Sequence, residues 1–71
     1  MSDQELLAAF EAGDKMKIIS LYHAQGMAAL DKGDEDAGCF YLTHAYVFAL
    51  EAGADIAEDI RHELKIRGRE A

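Results

Sequence analysis

The side chains able to ligate a metal or move a proton are few: His23, His44 and His62, the single cysteine Cys39, and carboxylates spread along the chain. Glu58 and Asp59 precede His62 by four and three residues, so on a helix all three share one surface. A di-metal helix bundle needs such carboxylate–His pairs from two helices and further carboxylates from the others. This sequence offers one pair, which reads as a solvated pair on a helix face. Cys39 and His44 stand five residues apart, a spacing that turns them to different sides of a helix and leaves the thiol without an adjacent base. Cys39 then reads as a small buried hydrophobe. Thr43 and His44 sit inside an otherwise apolar stretch. The expectation is local satisfaction, with threonine bonding a carbonyl one turn back and histidine finding a backbone or tyrosine partner. The alternative is that they face a neighbouring subunit or make a pH-sensitive contact. The sequence has no Gly-rich phosphate loop, serine nucleophile motif or zinc-type cysteine spacing. Four short helices also rarely enclose a pocket of several hundred Å³. The sequence therefore assigns no catalytic residue, metal ligand or cofactor, and predicts a protein that is not an enzyme.

Composition narrows the class. The chain has 71 residues, 51% of them apolar, no proline and a formal net charge of −7. That is one domain, near the lower limit for independent folding. A lone cysteine excludes an internal disulfide and suits the cytoplasm. Met1-Ser2-Asp3-Gln4-Glu5 is acidic, unlike a signal peptide, and no apolar run is long enough to span a membrane. The acid excess would repel a phosphate backbone, so nucleic acid is not an expected partner. Arg61, Lys65, Arg67 and Arg69 make the C-terminal end basic. The helix macrodipole accounts for cations there, and a basic tail that docks an acidic partner is the alternative.

The elements that carry these residues are set by a repeated signal: Gly13-Asp14, Gly33-Asp34 and Gly53-Ala54-Asp55, about twenty residues apart. Glycine closes a helix in the left-handed conformation, and aspartate then caps the next helix. Helices are expected over about 3–12, 15–32, 35–52 and 55–67. The first carries Leu6, Leu7 and Phe10 on one side. The second carries Ile18, Ile19, Tyr22, Gly26, Ala29 and Leu30 at three- and four-residue steps. The fourth has a narrow apolar face of Ile56, Ile60 and Leu64. The third, from Ala37 to Leu50, is apolar nearly all round, which predicts a helix buried centrally or shared with another chain. Short turns make successive helices antiparallel neighbours, so the fold class is all-α, a stack of helical hairpins in a single domain over 1–71.

Residues 19–52 have about the length of one tetratricopeptide repeat. Tyr22, Gln25-Gly26, Ala29, Gly33-Asp34, Gly38, Leu42 and Ala45 fall where that motif has its aromatic, Leu-Gly, aromatic, turn and small-large-small positions, and in this the segment resembles the tetratricopeptide family. Gln25 stands in place of leucine, Ala29 of an aromatic, and Leu50 of the closing proline. The resemblance implies that Gly26 and Gly38 let two helices cross closely, with Tyr22 and Leu42 filling the space beside them. It also implies protein–protein binding along a groove lined here by Ser20, His23, Met27, Leu30 and Asp31. A single unit would stack on a partner rather than grip a peptide.

The function these observations predict is a small helical protein–protein interaction module that self-associates, as a homodimer, or docks on a larger partner. Its candidate contact residues are His23, Met27, Leu30, Phe40, Tyr41, His44, Val47 and Phe48. The competing expectation is a metal- or ligand-responsive regulator using His23, His44, His62 and Cys39.

Overall fold

Glycine and the residue after it decide where each helix stops. The computed structural model describes residues 3–69; Met1 and Ser2 of the acidic opening, and Glu70 and Ala71, lie outside the described residues. Four helices follow one another: α1 (Asp3–Ala12), α2 (Lys15–Asp31), α3 (Glu35–Ala52) and α4 (Ile56–Ile66). Among the described residues there is no strand, so the all-α expectation holds. At the α2–α3 turn Gly33 takes φ +85°. The next amide, of Asp34, donates back to the Ala29 carbonyl at 2.9 Å, the six-to-one bond of a Schellman closure. The same bond closes the other helices, from Asp14 to Ala9, Ala54 to Ala49 and Arg69 to Leu64.

In the first two turns one aspartate does two things. Its amide closes the helix behind, and its carboxylate caps the helix ahead: Asp14 accepts from the Lys17 amide and Asp34 from the Ala37 amide, both at 3.1 Å. The third turn departs from expectation. Ala54 occupies the closing position, which pushes Asp55 one residue further on, into helical φ −60° and ψ −29°. From there its side chain makes no capping bond. The helix begins at Ile56 rather than at Asp55.

The core forms where α3 packs on α2 and α4. Ile19 of α2, Cys39, Leu42, Ala45 and Ala49 of α3, and Ala57, Ile60 and Leu64 of α4 make one buried cluster. The α2–α3 crossing is backbone against backbone. A Cβ on Gly26 would fall 2.8 Å from Leu42 Cγ and 3.1 Å from the Gly38 carbonyl oxygen. One on Gly38 would fall 2.5 Å from Leu30 Cδ2 and 3.1 Å from the Gly26 carbonyl oxygen. The expected close crossing is present, but Leu30, rather than Tyr22, is the second side chain that fills it. Helix α1 packs on α2 through its buried Ala9, while Leu7 and Phe10 remain exposed.

Two outcomes test these local causes. Gly26→Leu should destabilise by roughly 1–3 kcal/mol or more through overpacking, several degrees in melting temperature for a domain of this size. Asp34→Ala should cost about 1 kcal/mol for the lost cap. Asp55→Ala should cost clearly less, because no cap bond is there to lose. Denaturant melts of the three variants check the order.

Candidate functional site

The phase of α3 is set by its contact with α2. With Gly38, Leu42, Ala45 and Ala49 turned inward, Phe40, Thr43, Val47 and Leu50 turn outward. Phe40 is 58% exposed, Val47 48% and Leu50 56%, so the helix expected to be buried centrally or shared with another chain keeps one side bare. The bare side has a geometric cause. Helices α2 and α4 cover the inner side of α3, and α1 is short and packs chiefly on α2.

A row of rings crosses one flank of this outer face. Phe10 of α1 meets Phe48 edge-on at 5.7 Å, Phe48 stacks on Tyr22 at 5.9 Å, and Tyr22 stacks on His44 at 5.3 Å. His44 then meets Phe40 at 4.5 Å, and Tyr41 lies 6.4 Å from Tyr22. Tyr22 thus joins the ring row while it packs against the core cluster. His44 Nδ1 lies 2.9 Å from the Phe40 carbonyl oxygen, a spacing at which the protonated nitrogen donates to it. Thr43 Oγ1 donates to the Cys39 carbonyl at 2.7 Å. Both polar residues of the apolar helix thus find backbone partners one turn back, as expected.

The remaining candidate residues are dispersed. His23 and Ser20 border an open concavity of about 580 Å³ between α2 and the start of α4, together with Met16, Ile56 and Asp55. Of the groove positions implied by the tetratricopeptide resemblance, Met27, Leu30 and Asp31 do not line it. Leu30 is committed to the glycine crossing, and Met27 is exposed. His62 is exposed on α4, and the neighbouring Glu58 carboxylate is engaged by Arg61 at 3.4 Å. Among the described residues, no three His, Cys, Asp or Glu side chains come together in a way that could hold a metal ion.

Sequence reasoning missed a clasp between the chain's end and α3. Arg67 bonds Glu63 at 3.1 Å and, across the fold, Glu35 at 3.0 Å; Arg69 bonds Asp36 at 2.7 Å. These hydrogen bonds push both guanidinium pKa values further up, so both groups stay charged at any ordinary pH. The basic end is therefore explained by acids at the head of α3 as well as by the dipole of α4. Sequence spacing of thirty-odd residues carries no signal of such a pair. Arg69 also borders a shallow hollow with Cys39, Phe40 and His44. Cys39 and His44 both border this hollow, and the thiol is buried.

No family model, curated protein or solved structure matches the chain. No helix among the described residues is long and apolar enough to cross a membrane.

The clasp has a measurable consequence. A bulky thiol reagent should label Cys39 slowly in the native protein, and several-fold faster in Arg69→Ala at unchanged helix content, because burial controls access to the thiol. Equal labelling rates would show that the guanidinium does not shield the hollow.

Proposed function

We propose that the chain is a non-enzymatic helical interaction module of the cytoplasm whose working surface is the outer face of α3. One observation carries the reading: Phe40, Val47 and Leu50 stand roughly half exposed on a stretch, Ala37 to Leu50, that has no charged residue in a chain of net charge −7. Scattered single apolar residues are ordinary on a protein surface, but a continuous apolar face marks a contact. His44, Tyr41 and Phe48 are half-buried beside that face and belong to the same surface. His23, Met27 and Leu30 do not, and drop out of the proposed contact. The resemblance of residues 19–52 to a tetratricopeptide hairpin supports the same class of function, because such hairpins hold other chains. The surrounding acids disfavour nucleic acid as the partner.

Photo-crosslinking tests the proposal. Benzoyl-phenylalanine in place of Phe40, in cells of the native organism, should give discrete covalent adducts, while the same probe in place of the exposed Glu58 on α4 should give few. No adducts at position 40, or equal adducts at both positions, would remove α3 as the contact surface.

A further inference from the structure

The outward residues of α3 follow a particular spacing. Asp36, Phe40, Thr43, Val47 and Leu50 are separated by four, three, four and three residues, so they form one straight seam along α3, apolar from Phe40 onward except for Thr43. Of the polar residues on or beside the seam, Asp36 is bonded to Arg69, and Thr43 and His44 are satisfied within α3. Thr43 spends its hydroxyl proton on the Cys39 carbonyl, and His44 Nδ1 is bonded to the Phe40 carbonyl. Covering the seam therefore strands few hydrogen-bonding groups, a loss that otherwise opposes burial.

Resting on the reading of α3 as an interaction face, we infer that the occupant is a second copy of the chain, its α3 laid antiparallel on the first about a two-fold axis between Thr43 and Val47. In that register Phe40 meets Leu50 of the second copy, and Thr43 meets Val47 with its methyl group. The two-fold then repeats both contacts. The position of α1 selects antiparallel over parallel. It lies beside the C-terminal half of α3, where Phe10 touches Phe48, and it exposes Leu7 by 59% and Phe10 by 44%. A parallel pair would bring two α1 helices to the same end. The antiparallel pair sets each α1 beside the N-terminal half of the other α3, where Leu7 and Phe10 extend the contact. Aromatic side chains offer about 150–250 Å² each, so five half-exposed apolar side chains bury roughly 400–500 Å² per copy. The pair then buries about 1,000 Å², the lower limit for a specific interface. The area matches a weak, reversible dimer.

Sedimentation equilibrium or light scattering from 1 µM to 1 mM reads the outcome. The mass should rise from 7.8 kDa towards twice that value within this range. Phe40→Glu, at a position exposed in the single copy, should keep its helix content and stay monomeric throughout. Orientation is read on a Cys39→Ala background: oxidising a mixture of Thr43→Cys and Val47→Cys chains should give the mixed disulfide in excess of either homodimer. Homodimer disulfides in preference to the mixed species would overturn the antiparallel register. A parent chain monomeric at 1 mM would overturn the second copy as occupant. If position 40 still crosslinks to another protein, the interaction face itself survives that result; if it does not, both readings fall together.

Discussion

The contact of two backbones at Gly26 and Gly38 is the constraint from which the rest of the structure follows. With no side chain at either position, α2 and α3 approach until each glycine lies near the other's carbonyl oxygen, and Leu42 and Leu30 lock in on either side. A crossing that tight fixes the rotation of α3 about its own axis. Once Gly38, Leu42, Ala45 and Ala49 face inward, which residues face outward is no longer free. The bare face of α3 is thus the reverse side of its contact with α2.

Much of this was legible in the residues and some was not, for physical reasons. The helix boundaries were readable because the turns are made by glycine followed by aspartate, residues with strong local preferences. One inserted residue, Ala54, was enough to undo the third cap, since the aspartate must occupy the closing position to serve both helices. The narrow face of α4 was readable because Ile60 and Leu64 contrast with Glu58 and Asp59. On α3 there is no such contrast. Apolar residues all round give a period-based reading nothing to measure, and only the packing of α2 and α4 on α3 decides which side stays bare. The pairing of Arg67 and Arg69 with Glu35 and Asp36 was equally invisible, because it joins segments that only the finished fold brings together.

The charges and the apolar face are arranged so as not to interfere. Most acids sit at helix starts or on outer surfaces, where Asp14 and Asp34 satisfy amides and Glu35 and Asp36 hold arginines. This gathers the cations of the chain's end at the head of α3 and offsets the acids there. Between that head and Glu51 the helix carries no charge at all. Net negative charge keeps copies of a protein apart at long range. The charge-free strip of α3 adds nothing to that repulsion.

The helices touch mainly their sequence neighbours, α1 with α2, α2 with α3 and α3 with α4. A topology of this kind closes only short loops before its contacts begin to reward it, so it has a low contact order and belongs with the fast folders. The two crossing glycines are joined by a single tight turn, which makes the α2–α3 hairpin the natural place for folding to start. The chain contains no proline, so no peptide-bond isomerisation delays the process. A protein built this way passes quickly through the stage at which its apolar helix is unprotected, and an exposed face on α3 is correspondingly less of a hazard to the newly made chain.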